Sequence, residues 1–172
     1  MSAMDSKHTL VALMEDEPGV LNRVVSVLRR RGFNINSLTV GPSDEEKISR
    51  MTLVVEGDET IVEQVRKQLQ KIIEVLKISD VTKEETVVRE LSLVKVSANS
   101  NTRPEIMQLV DIFRAKIVDV APDSLIVEIT GSQDKVDSLT NLLRRFGIKE
   151  MVRTGPVAMV RGVAGVSRVD DD

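Results

Sequence analysis

The 172-residue sequence predicts an α+β chain made of two tandem βαββαβ units. Three observations carry that prediction. Apolar residues recur every second position in some stretches and every third or fourth in others, and the two periods alternate along the chain. The order strand, helix, strand, strand, helix, strand occurs twice at a spacing of about 80 residues, as a pattern rather than as residue identity. Each half has roughly 75 residues, small for an isolated core, so its sheet needs both helices laid on one face to bury enough apolar surface.

The first half opens with HTLVALM, a strand. From Pro18 onward Val20, Leu21, Val24, Val27 and Leu28 recur at helical spacing. Arg29, Arg30 and Arg31 fill the last turn, where cations complement the carbonyl end, and Gly32 supplies the left-handed stop. FNINSLTV and ISRMTLVVE read as a hairpin joined by the polar turn GPSDEEK. A second helix buries Ile61, Val62, Val65, Leu69 and Ile72, with Asp58 placed to cap its free amide hydrogens. EVLKISDV closes the first unit as its fourth strand.

The order restarts after the charged stretch TKEETVVRE. ELSLVKVSA is a strand, and a helix from about Pro104 carries Ile106, Leu109, Val110 and Phe113. KIVDVA and SLIVEIT form the hairpin around Ala121-Pro122-Asp123. A helix with Val136, Leu139, Leu142, Leu143 and Phe146 follows Gly131-Ser132, and IKEMVRTG is the last strand. The units are expected at 1–82 and 83–162, each ferredoxin-like, with a mobile tail at 163–172 that ends in three acids. Strands such as the one with Leu91, Leu93, Val94 and Val96 are apolar on both sides, so the sheet face away from the helices is expected to need a partner, a second copy first of all.

Composition narrows the function. There is no cysteine and only one histidine, which removes disulfides, Cys-based zinc sites and Cys-His or Ser-His nucleophile pairs as starting points. No catalytic and no metal-ligating residue is assigned. His8 opens an apolar stretch without an obvious partner and reads as a strand-end residue with no chemistry. The three aromatic residues, all Phe, lie outside ISRMTLVVE and SLIVEIT, and the net charge is -3, so the chain lacks the stacking platform and basic surface of an RNA-binding module of the same topology. Arg29, Arg30 and Arg31 point in three directions around a helix and cannot converge on one phosphate, which removes the case for a small hydrolase. No apolar run is long enough to span a membrane and MSAMDSKH lacks the layout of a secretory signal; a cytoplasmic protein is expected, with plastid stroma equally compatible.

The segment LMEDEPGVLNRVV admits two readings. In one, Asp16 or Glu17 caps the helix and Pro18 occupies its first position, where no hydrogen bond is lost. In the other the turn is a binding site. Gly19 in a first helical turn costs about 1 kcal/mol relative to alanine, which makes sense where a ligand approaches the backbone. A helix N-terminus suits a carboxylate, while Asp16 and the side-chain oxygen of Asn34 suit an ammonium group.

The segments EDEPGVLNRVVSVLRRRGFNINSLTVG and SRMTLVVEGDE resemble the N-terminal ACT domain of the regulatory small subunit of acetolactate synthase. VVRELSLVKV, IFRAKIVDVAPDSLIVEITGSQDKV and GPVAMVRG extend the resemblance from about His8 to about Gly162. It implies a non-catalytic subunit that activates a separate catalytic subunit and confers feedback inhibition by branched-chain amino acids, valine first among them. It implies that the catalytic partner uses thiamine diphosphate, magnesium and FAD, and that this chain binds none of them. It also implies a homodimer with the effector at the interface of two ACT domains, contacted by Asp16, Pro18, Gly19, Val20 and Leu21 of one chain and by Asn34 and Ile35 of the other. Many members of the family carry asparagine where this chain has Asp16; the change removes a donor and adds a negative charge that an ammonium favours and a carboxylate opposes. A free-standing ACT-domain amino-acid sensor acting on another partner is the competing reading, and no helix-turn-helix pattern supports it.

Overall fold

A computed structural model describes residues 6–162 and 165–166. The expected tail at 163–172 therefore lies, apart from Gly165 and Val166, outside the described residues. The chain divides into two compact units, one of Met1–Val87 with Ala158–Asp172 and one of Val88–Val157.

The first unit runs β1 (Ser6–Glu15), α1 (Val20–Arg30), β2 (Asn34–Pro42), β3 (Ile48–Gly57), α2 (Glu59–Leu69) and β4 (Val75–Asp80). Its antiparallel sheet has the order β2-β3-β1-β4, so the first strand and the hairpin's second strand are central and β2 is an edge. One face of that sheet meets the helices. Leu10, Ala12 and Met14 of β1 and Met51, Leu53 and Val55 of β3 pack there against Val20, Val24 and Leu28 of α1 and Val62, Val65 and Leu69 of α2. Alternation along each strand delivers these residues to one side, and the i, i+4 spacing on each helix supplies the matching stripe.

Helix ends follow local chemistry. Gly32, at a φ of 66°, and Phe33 donate back to Arg29 and Leu28, the paired bonds that close a helix through a left-handed residue. Asp58 caps α2 as expected, its Oδ1 accepting the Ile61 N–H at 2.9 Å. The start of α1 differs from expectation: Pro18 lies outside the helix, Gly19 is the cap residue, and neither Asp16 nor Glu17 gives it a side-chain cap.

The sheet face away from the helices also departs from expectation. Val11, Leu13, Thr52 and Val54 lie there, yet none is more than 6% exposed. The chain returns after the second unit as β9 (Val157–Val160), a strand the sequence pattern did not announce, and Ala158 and Val166 in this returning stretch are themselves buried. His8 is buried too and has one hydrogen-bond partner among the described residues, Ser6, while its Nδ1 makes no hydrogen bond there. The Ser6 hydroxyl donates to the Gly57 carbonyl, so the His8 Nε2, 2.8 Å away, is the donor to that oxygen, and Nδ1 lies 3.9 Å from Asp80.

The second unit runs β5 (Thr86–Ser97), α3 (Arg103–Ile112), β6 (Lys116–Ala121), β7 (Ser124–Gly131), α4 (Gln133–Leu143), a single 3-10 turn (Arg144–Phe146) and β8 (Ile148–Arg153). Its strands β6-β7-β5-β8 repeat the order of the first unit. Val94, Val96, Leu125, Val127 and Ile129 meet Ile106, Val110, Val136, Leu139 and Leu143 in its core. Leu142, expected inside, is 40% exposed. Arg103 donates to the carbonyls of Ala121 and Pro122 and pins the hairpin turn. Arg153 joins the carboxylates of Glu90 and Asp137, and the bond to Glu90 holds its guanidinium above the ordinary value. The outer face of this sheet keeps apolar surface, with Leu93 and Ile126 half-buried and Val152 58% exposed.

Candidate functional site

The turn after β1 is built around Gly19. Its φ of 90° and ψ of -11° lie in left-handed space, which a side chain occupies only at a cost, and this places the start of α1 abruptly after the strand. The Glu15 N–H donates to the Glu74 carbonyl and the Asp16 N–H to the Lys47 carbonyl, which fixes where the strand ends. Val20 donates to the Glu17 carbonyl at 3.3 Å and the Gly19 carbonyl receives the Arg23 N–H at 3.0 Å. No side chain caps the helix and its first turn has no acidic residue. The amide hydrogens of a first helical turn carry the positive end of the helix, and here no side chain caps them.

The surroundings are open. Asp16, Glu17, Pro18 and Gly19 are all exposed, and a Cβ built on Gly19 would meet nothing within 4 Å. Leu21 is 40% exposed and offers an aliphatic surface beside the turn, whereas Val20 is 2% exposed and belongs to the core. Of the expected turn residues, Val20 therefore anchors the helix in the core and its neighbours form the exposed side of the turn.

Asn34 and Ile35 open β2. The Asn34 Nδ2 donates to Glu56 Oε2 at 2.7 Å, and Asn36 Nδ2 donates to Glu56 Oε1 at 3.0 Å. Because a carboxylate only accepts, Glu56 fixes the Asn34 amide with its oxygen turned away and available as an acceptor. Glu56 itself sits directly opposite Asn34 in the hairpin and contributes negative charge at the same place. Sequence reasoning did not single it out: regular pairing through the polar turn sets Glu56 across from Ile35, and only the register shift between Ile35 and Ser37 brings it to Asn34. Ile35 is half-buried, packed on the edge of the helix-side core.

The structure brings the turn residues together with one another but does not bring them to Asn34. Asn34 pairs with Glu56, which pairs with Lys7 at the start of β1, whereas Asp16 follows the other end of that strand. Nine residues of strand separate those rows, roughly 30 Å at ~3.3 Å per residue. Within one chain the two halves of the expected site lie at opposite ends of the sheet.

Elsewhere the described residues contain no group of three His, Asp or Glu arranged to hold a metal ion, and no helix among them is long and apolar enough to cross a membrane.

Comparison with known proteins agrees with this architecture. Residues 10–77 match the model of the AHAS small subunit-like ACT domain, and residues 89–162 match that of the small subunit of acetolactate synthase. A probable acetolactate synthase small subunit of Archaeoglobus fulgidus is 57% identical over 91% of this chain and 98% of its own length. The acetolactate synthase small subunit of Mycolicibacterium smegmatis is 46% identical over 96% of this chain and 98% of its own. The crystal structure of the acetolactate synthase small subunit from Thermotoga maritima superposes with a TM-score of 0.86 at 41% identity, covering 92% of this chain and 99% of that one. The chain belongs to the acetolactate synthase small-subunit family.

Proposed function

We propose that the chain activates the catalytic subunit of an acetolactate synthase and makes it answer to a branched-chain amino acid, valine first among them, bound where two copies of the first unit meet. The observation that carries this reading is the separation just described. The turn offers uncapped amide hydrogens that suit a carboxylate, and Asn34 with Glu56 offers acceptors that suit an ammonium group. These are the two ends of an α-amino acid, yet in one chain they are roughly 30 Å apart, beyond the reach of any single amino acid. A second copy resolves the mismatch. β2 is an edge strand, and two copies joined there about a two-fold axis place the turn of each against Asn34 and Ile35 of the other. Leu21 and Ile35 then wall the cleft with aliphatic surface suited to a branched side chain.

Regulation requires that the effector favour one arrangement of the dimer and that the catalytic subunit bind the two arrangements differently. A site shared by two chains supplies this lever because occupancy sets their relative position. A coupling of about 1–3 kcal/mol gives roughly 5–150-fold inhibition. The reaction, with its thiamine diphosphate, magnesium and FAD, belongs to the catalytic subunit. Calorimetric titration of the purified chain with valine, leucine and isoleucine, alongside sedimentation at micromolar concentration, tests the proposal: a dimer that binds one of them supports it, and a monomer that binds none rejects it.

A further inference from the structure

On the second face of the first unit's sheet stands Arg50, with Lys77 of β4 on the far side of Leu13. Arg50 lies two residues before Thr52 on β3, opposite Leu13 of β1 and Gly41 of β2, and so shares a side with Val11, Leu13, Thr52 and Val54. Burial pushes its guanidinium below the ordinary arginine value, with Asp44 acting in the opposite direction. A cation is expensive in such a place unless its donors are used. Two of them are: Nη2 donates to the Ala158 carbonyl at 2.9 Å and Nη1 to the Val166 carbonyl at 3.2 Å. Arg50 thus fastens the returning segment at two points, and Ala158 and Val166 are 4% and 6% exposed.

On its other side Arg50 meets the β2–β3 loop. Ser43, Asp44 and Glu45 line one cleft with Leu13, Arg50 and Val166. The loop is tightly closed: Ser43 donates its N–H to the Ile48 carbonyl at 2.9 Å, the Ser43 hydroxyl accepts the Glu45 N–H at 3.1 Å, and Lys47 holds a left-handed φ of 63° that a residue with a side chain rarely adopts. The Lys47 carbonyl is the group that accepts the Asp16 N–H, at 2.7 Å. Arg50 thus bonds Ala158 and Val166 and shares a cleft with the loop, whose Asp44 acts on its charge, and the loop in turn bonds the first residue of the effector turn.

We propose that Arg50 is a positioning residue for the effector turn: by fastening Ala158 and Val166 it holds the β2–β3 loop in the shape that sets Asp16 and, behind it, Gly19. The proposal rests on the effector reading above and adds to it a control point on the opposite face of the sheet. Linkage makes the coupling reciprocal, so what the segment does for the effector the effector does for the segment. The test uses the full chain, wild type, Arg50→Met and Arg50→Lys, with two readouts: calorimetric affinity for valine, and hydrogen exchange of the Ala158, Met159, Val160 and Val166 amides with and without valine. The expected result is about tenfold weaker valine binding in Arg50→Met, an intermediate loss in Arg50→Lys, and a slowing of segment exchange by valine in the wild type that matches that factor and disappears in Arg50→Met. Wild-type affinity in both variants, with segment exchange indifferent to valine, overturns the proposal and leaves Arg50 a structural clamp. If Arg50→Met fails to fold, Arg50→Lys and the wild-type exchange decide. A wild type that binds no branched-chain amino acid defeats the effector reading itself, and the coupling with it.

Discussion

Substituting Gly19 by aspartate separates the two properties that the turn combines, its backbone conformation and its open positive end. Any residue with a Cβ at a φ of 90° costs about 1–2 kcal/mol, a term that Gly19→Ala reports by itself. There is room for either side chain, since nothing lies within 4 Å of the added Cβ, so the alanine variant should fold and melt a few degrees lower. Aspartate adds a carboxylate at the cap position. It accepts the first-turn amide hydrogens that the effector's carboxylate would take, forfeiting about 0.3–1 kcal/mol of helix-terminus attraction for the ligand. It also sets two like charges about 4 Å apart, worth between about 1 kcal/mol in water and about 4 at the effective dielectric of a protein surface. Together these weaken valine binding by at least about tenfold. The assay is calorimetric titration of the three chains with valine, followed by inhibition of the reconstituted enzyme. Aspartate abolishing inhibition while alanine retains most of it is the expected pattern. Undiminished inhibition in Gly19→Asp would refute the placement of the carboxylate at this helix end.

Other consequences can be checked with the same materials. Asn34→Ala removes an acceptor for the ammonium group and should lower valine affinity by about 1.5–3 kcal/mol while activation of the catalytic subunit is kept; loss of both would indicate a broken fold or dimer. Glu56→Gln lets the Asn34 amide turn over and should give a smaller loss in the same titration, with melting temperature unchanged because the pair is exposed. Asp58→Ala removes the α2 cap and should cost about 1 kcal/mol in urea unfolding.

The order of elements was legible because each strand and helix carries its own apolar period and each stop has its chemistry, as Gly32 and Asp58 illustrate. Three things were not. The EPG turn looked like a proline-initiated helix, but Gly19 in left-handed space moves the first helical residue to Val20, a choice of backbone region that residue types alone do not disclose. β9 escaped notice because it is four residues long, too short for a period. The second face of the first sheet looked uncovered because the bonds of Arg50 to Ala158 and Val166 are long-range contacts with no local signature. One cue was present: in ISRMTLVVE, Arg50 shares a side with Thr52 and Val54, and a charge on such a face needs a partner. Of the effector residues, the turn could be read from helix-end chemistry. That Asn34 lies at the far end of the sheet required the strand register.

The sharing of each site between two chains is tested most directly by complementation. Gly19→Asp and Asn34→Ala chains carrying different tags are co-folded and the mixed dimer is purified and titrated with valine. In a two-fold dimer with split sites, one cleft of the mixed species collects both lesions and the other collects neither. The account predicts that each parent homodimer binds weakly and that the mixed dimer recovers wild-type affinity at half the wild-type stoichiometry. A mixed dimer as poor as its parents would mean that the turn and Asn34 do not serve a common ligand across the interface.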